Sequence, residues 1–207
     1  MPMFLKVEEV EVNARLRHFS LDRDVIVDAI RMGVAAYGGV TANDPPSAKG
    51  FEPWRFTTRG LRELLSSRGY ERDDSGNFST IKHVGHGIRI VTLNADCRTG
   101  APNPEVWPRN RLRKGILHER AIGAADWLPG LPNPYVTNEL DIWYLCQYID
   151  GDKVLAELSR PDRIEDGFIT SWRERIVILK PGDWKNVEAG NQGSDSGPEI
   201  EVDVQFR

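Results

Sequence analysis

Hydrophobic residues recur at helical spacing in two stretches near the start of the chain, and each stretch predicts an amphipathic helix. Ser20 or Asp22 can cap the first helix, and Gly38-Gly39 marks its end. Its apolar positions are Val25, Ile26, Ala29, Ile30 and Val34. The second, shorter helix is predicted to begin at Thr57 or Thr58 and to end at Gly69. Its apolar face comprises Leu61, Leu64 and Leu65.

Later in the chain the pattern changes to that of β-strands. Residues Ile88 to Leu93 are rich in β-branched side chains and apolar on both faces, which predicts a strand in the middle of a sheet. Arg175 to Leu179 is a further candidate strand. The alternation of apolar and polar residues after position 199 predicts a C-terminal strand with one solvated face.

A β-hairpin is predicted over Ile142 to Leu158, where two apolar runs flank a turn at Asp150-Gly151. With this turn, Ile149 pairs with Asp152, and Tyr144 is opposite Glu157. One face of the hairpin is then entirely apolar; it consists of Trp143, Leu145, Val154, Ala156 and Leu158. Glu157 lies on the other face, which is also mostly apolar.

Early helices followed by strands, without regular alternation, favour an α+β fold over a doubly wound parallel sheet. We therefore expect two N-terminal helices packed on a mixed or antiparallel sheet that contains the hairpin 142–158. The expected organisation is a single domain over residues 1–185, a Gly/Ser/Asn-rich linker over 186–198 and a terminal strand over 199–207.

Composition places the 207-residue chain among globular proteins, since 40% of its residues are hydrophobic and 28% are charged. A net charge of -4 argues against nucleic-acid binding over the whole surface but leaves room for a local basic patch. Two cysteines, Cys97 and Cys146, are too few for a disulfide framework or a zinc knuckle. Without a signal-like start or an 18-residue apolar run, we expect a soluble, cytoplasmic protein with no membrane partner.

Sequence motifs of the common nucleotide-binding, metalloprotease, hydrolase and calcium-binding sites are absent. His83 and His86 can share a metal only on a helix or a turn, because on a strand they face opposite sides. The loop after the predicted central strand carries Asp96, Arg98 and Thr99. Asp96 can bind a metal or act as a base, and Arg98 and Thr99 can hold an anion; the alternative is a simple turn.

A basic segment follows, and it is the strongest indication of function in the chain. Clustered guanidinium groups bind phosphate in a bidentate manner, and Trp107 just before them can stack on a base. The alternative is a solvated cationic segment paired with acids. The segment comprises Arg109, Arg111, Arg113, Lys114, His118 and Arg120.

Glu157 is a candidate for chemistry because a lone carboxylate on an apolar face requires a partner. That partner is either an arginine within the fold or a ligand in a site. Together with Asp96, Glu157 can hold Mg²⁺ or Mn²⁺, as a metal-dependent nuclease requires. Many nucleases have lysine two residues after such a glutamate, in the pattern Glu-x-Lys, but here that residue is Ser159. The sequence therefore favours binding over catalysis.

We therefore expect a nucleic-acid-associated protein that binds phosphates through the basic segment, with a metal-dependent nuclease as its enzymatic form. The competing hypothesis is a protein–protein interaction module, such as a small subunit, an inhibitor or an adaptor. Its support is the negative net charge and the tryptophans Trp107 and Trp127, which stand next to proline-rich loops.

Overall fold

The computed structural model describes residues 3–122 and 140–192, and these form the predicted α+β fold. Helices pack on a seven-stranded mixed sheet. The helices are α1 (Glu9–Arg17), α2 (Arg23–Gly38), α3 (Ala48–Leu65), α4 (Ile116–Ile122) and α5 (Asp183–Gln192). The strands are β1 (Phe4–Lys6), β2 (Glu71–Asp73), β3 (Thr80–His83), β4 (Ile88–Asn94), β5 (Asp141–Asp150), β6 (Lys153–Glu165) and β7 (Phe168–Leu179).

The strand order β1-β7-β6-β5-β4-β3-β2 contains two parallel pairs, β1 with β7 and β4 with β5. Strand β4 lies inside the sheet and is apolar on both faces, which confirms the prediction for residues 88–93. Ile88 and Ile90 belong to the core under α1, α2, α3 and α5. Val91 and Leu93 belong to a second core on the opposite face, under Trp107 and α4.

The hairpin of β5 and β6 has the predicted faces but a different register. Asp150 pairs with Lys153 and Ile149 with Val154, so the turn is Gly151-Asp152 rather than Asp150-Gly151. Gly151 has φ 56°, and glycine at the first of two turn positions is the type II′ pattern. Because the register moves by two residues, every side chain keeps its face, and Glu157 is opposite Cys146 instead of Tyr144.

One of the two predicted helices begins earlier than the sequence pattern indicates, and the described residues contain further helices. Asp22 is the N-cap of α2, as predicted, and its carboxylate accepts a hydrogen bond from the backbone N–H of Val25. Helix α3 begins at Ala48, well before the predicted start. Gly50 and Pro53 lie in its first turns, and both residues weigh against helix in a propensity argument. Helix α1 precedes both predicted helices and buries only Val12 and Leu16.

The C-terminal part of the chain differs from the predicted linker. Residues 186–192 form part of helix α5, and Trp184 of the same helix lies in the main core. The remaining linker residues and the predicted strand 199–207 lie outside the described residues. No helix within 3–122 or 140–192 has both the length and the apolar content needed to cross a membrane.

Candidate functional site

The segment after β4 crosses the second face of the sheet and is held there by buried donors. The Arg175 guanidinium donates to the backbone carbonyls of Ala101 (3.2 Å) and Val106 (2.7 Å). The Trp172 indole N–H donates to the carbonyl of Pro108 at 3.1 Å. This segment has almost no regular secondary structure, so these side chains from β7 determine its path.

Arg175 is itself fixed by Glu157, and both side chains are completely buried. The guanidinium donates to the two carboxylate oxygens of Glu157 at 2.8 and 2.6 Å. The same oxygens accept the Ser159 hydroxyl at 2.6 Å and the Gly100 N–H at 2.8 Å. Glu157 is thus the buried partner of an arginine, the alternative that its sequence context left open, and each oxygen already accepts two hydrogen bonds.

Asp96 lies in a turn immediately after β4, and its hydrogen bonds stabilise that turn. One of its carboxylate oxygens accepts the backbone N–H groups of Arg98 and Arg109, and the other accepts the Arg98 guanidinium. The Thr99 hydroxyl donates to the Asp96 carbonyl at 2.8 Å. Among the described residues, Asp96 and Glu157 therefore share no hydrogen-bond partner.

Asn110 anchors the basic segment to the turn between β6 and β7. Its side-chain amide donates to the Gly167 carbonyl at 2.9 Å and its side-chain oxygen accepts the Ile169 N–H at 2.9 Å. The Lys114 N–H donates to the same Gly167 carbonyl at 2.8 Å. Gly167 has φ 76°, and a side chain there would stand 2.7 Å from the Lys114 carbonyl oxygen. The turn thus fits closely under the segment and holds it in position.

A cleft of about 820 Å³ opens where the parallel strands β4 and β5 end. The carboxyl ends of parallel strands are a common location of ligand sites in sheet proteins. One wall is the start of α3, and the opposite wall is the basic segment. The lining residues are Tyr37, Pro46, Ser47, Lys49, Gly50, Phe51, Trp54, Asn94, Arg111, Leu112, Lys114, Tyr148, Ile149 and Asp150.

Asn94, the last residue of β4, connects the walls of the cleft. Its amide donates to the Gly50 carbonyl at 2.7 Å, and its side-chain oxygen accepts the Gln147 amide at 3.0 Å. Its backbone carbonyl accepts the Arg111 N–H at 3.2 Å. Asn94 therefore connects α3 and β5 through its side chain and the basic segment through its backbone carbonyl.

Three cations line the cleft: Lys49, Arg111 and Lys114. None of these three side chains forms an ion pair with any carboxylate among the described residues. Burial lowers the pKa of Lys114. Among the described residues, Asp150 is the only acid in the lining, and it accepts a hydrogen bond from the Tyr148 hydroxyl at 2.9 Å. The cleft therefore carries an excess of positive charge, although the whole chain is acidic.

Aromatic side chains share the cleft with these cations. Trp54 and Phe51 lie on the first turns of α3, with ring centroids 5.7 Å apart. The Trp54 indole N–H donates to the Thr92 carbonyl at 3.1 Å, which fixes the ring, whereas Phe51 is 51% exposed. Tyr37 and Tyr148 complete the set.

The predicted phosphate-binding residues have different surroundings in the structure. Arg111 and Lys114 line the cleft, but Arg98 pairs with Asp96. The Arg113 guanidinium donates to the Asp166 carbonyl at 2.8 Å, so it helps to anchor the segment. Two further predicted residues lie elsewhere: Arg109 is exposed and hydrogen-bonds with Asp96 through its backbone, and Arg120 is half-buried in α4.

His118 and Trp107 belong to the second core instead of a binding surface. His118 shares a hydrogen bond of 2.8 Å with the Tyr144 hydroxyl and packs edge-on against Phe78. Burial, with a smaller effect of the Lys114 charge, lowers the pKa of His118 to about 4. Trp107 packs against the same core, and Trp127 lies outside the described residues.

The described residues contain no cluster of three or more histidine, cysteine or acidic side chains that could hold a metal ion. His83 and His86 do lie side by side at a turn, with ring centroids 4.2 Å apart.

Comparisons of the chain with models of known families, with curated proteins and with solved structures find no match. The chemistry of the cleft is therefore the basis for proposing a function.

Proposed function

We propose that the protein binds nucleic acid in the cleft at the ends of β4 and β5. Lys49, Arg111 and Lys114 hold phosphate groups, and the aromatic side chains on α3 stack against an unpaired base. The observation that supports this proposal is one cleft that combines four aromatic residues with three cations, none of which pairs with a carboxylate within residues 3–122 or 140–192. Positive grooves with aromatic stacking platforms are the usual means of binding single strands.

The start of α3 adds to the attraction for an anion. The first turn of this helix contains no acid, and its N-cap residue, Ser47, makes no capping hydrogen bond through its side chain. The N-terminal end of a helix carries partial positive charge and favours phosphate. This helix end and the cations of the cleft therefore favour the same kind of ligand.

Binding, instead of metal-dependent cleavage, is proposed because the two carboxylates expected to hold Mg²⁺ or Mn²⁺ are engaged within the fold. The Glu157 oxygens accept four hydrogen bonds, two of them from Arg175. A metal at Glu157 would have to displace a buried guanidinium, which would leave a desolvated charge without its partner.

The proposal is tested by replacing two cleft cations, Lys49 and Arg111, with glutamine in one variant. Binding of a labelled single-stranded oligonucleotide is followed by fluorescence anisotropy between about 50 and 200 mM salt. Each lost phosphate contact reduces the slope of log affinity against log salt by about 0.7 for single strands, so we expect a reduction of about 1.4.

The matched control is a variant with Arg17→Gln and Arg163→Gln, which removes the same charge from two exposed positions outside the cleft. Its salt slope should equal that of the parent. Equal slopes in the cleft variant and the control would contradict the proposal. An absence of binding by the parent would leave the protein–protein interaction module as the remaining hypothesis.

A further inference from the structure

Trp54 lines a second depression besides the cleft, a groove of about 570 Å³ along the outer side of α3. This groove, which we call the α3 groove, also contains Arg55, Arg59, Arg62 and Arg72, and Glu63 is the only acid among its described lining residues. The cleft and the α3 groove therefore meet at one tryptophan, whose position is fixed by its hydrogen bond to the Thr92 carbonyl.

Two of the four arginines of the α3 groove, Arg59 and Arg72, are available for phosphate. The other two are engaged within the fold, since Arg62 pairs with Asp74 and Arg55 pairs with Glu52. Arg59 pairs with Glu63 on the helix surface, and both side chains are more than half exposed. Exposed pairs of this kind contribute only about 0–1 kcal/mol, so a phosphate can replace the carboxylate at little cost. Arg72 is exposed on β2 and forms no ion pair with any residue that the structure describes.

The cleft and the α3 groove together are too long to be a site for one nucleotide. From Lys49 to Ser66 the chain advances along the helix axis by about 25 Å, given a rise of about 1.5 Å per residue. Successive phosphates along one strand of a duplex are about 3.4 Å apart along the helix axis. A single nucleotide occupies the cleft alone, whereas several consecutive nucleotides can span both depressions.

We infer that the cleft and the α3 groove form one continuous track for a single-stranded nucleic acid several nucleotides long, which crosses Trp54. The inference rests on the proposed function and adds the class and the length of the ligand. A single strand is required because the aromatic rings of the cleft can stack only on unpaired bases. The recognised chemistry consists of phosphates and base faces, which DNA and RNA share.

The test compares oligonucleotides of two lengths, about 3 and about 12 nucleotides, the longer within the span of about 4–16 nucleotides that single-strand-binding folds cover. The variant combines Arg59→Gln with Arg72→Gln, two exposed positions whose loss should leave the thermal midpoint unchanged. For the longer strand, we expect the slope of log affinity against log salt to be smaller in this variant than in the parent by about 1.4. The variant's affinity for the shorter strand should equal that of the parent. Both results are expected with deoxythymidine oligonucleotides and with uridine oligonucleotides.

The result separates this inference from the proposed function. Binding of the longer strand no tighter than the shorter one, or an unchanged slope in the Arg59, Arg72 variant, would overturn the continuous track while leaving the cleft as the binding site. Loss of affinity for both lengths in that variant would overturn it as well, because the α3 groove would then act on the cleft itself. Failure of the parent to bind either strand would overturn both proposals.

Discussion

Replacing Glu157 with glutamine is expected to lower the free energy of unfolding by about 3–5 kcal/mol, because the substitution leaves the Arg175 guanidinium buried without its counter-charge. Glutamine has nearly the same shape, so no cavity contributes to this loss. Its NH₂ group also replaces an oxygen that accepts two hydrogen bonds, and a donor would then face donors from Arg175 and from Gly100 or Ser159.

Chemical denaturation of the parent and of the Glu157→Gln variant measures this effect. The matched control is Glu165→Gln, since Glu165 forms an ion pair with Arg163 in which both side chains are more than half exposed. The control should change stability by at most about 1 kcal/mol. Similar losses in the two variants would show that the buried pair does not hold the segment after β4 as described.

Replacing Gly100 with alanine is expected to be nearly as damaging, with a loss of about 2–5 kcal/mol. Gly100 has φ 70°, and a β-carbon there would stand 2.3 Å from the Leu179 carbonyl oxygen, so the backbone of β7 or of the loop must move. Such a movement would also disturb the hydrogen bond from the Gly100 N–H to Glu157.

Gly151→Ala is the control that separates the effect of the close contact at Gly100 from the effect of backbone strain. Gly151 has a similar φ of 56°, and nothing lies within 4 Å of the place that a β-carbon would take there. Strain alone should cost about 1–3 kcal/mol, without the added cost of a close contact. If thermal or chemical unfolding gave the same loss for Gly100→Ala and Gly151→Ala, the close packing of Gly100 against β7 would be contradicted.

The hairpin illustrates what could be predicted from the sequence. Its two apolar faces were predicted correctly because side-chain alternation has a period of two, and a shift of two residues leaves the faces intact. The turn itself was misplaced, because Asp150-Gly151 and Gly151-Asp152 are both acceptable turn pairs in the sequence. The placement of Glu157 on a buried face is confirmed for the same reason.

The cleft could not be predicted, since its walls come from distant parts of the chain. Lys49, Phe51 and Trp54 were missed because the glycine and proline near them concealed the start of α3. The basic segment was recognised, but charge clustering in sequence does not show which side chains share a surface. Asn110 and the turn at Gly167 determine that Arg113 serves as an anchor while Arg111 and Lys114 reach the cleft.

The most direct test of the central claim is photo-crosslinking of the parent protein to a single-stranded oligonucleotide that carries a thio-substituted pyrimidine, followed by mass spectrometry of the linked peptides. Crosslinks form only where a base contacts a side chain. If nucleic acid binds in the cleft, the linked peptides contain Phe51, Trp54 or Tyr148, and the yield falls in the Lys49→Gln, Arg111→Gln variant. Crosslinks confined to peptides without any of these three residues would contradict the account.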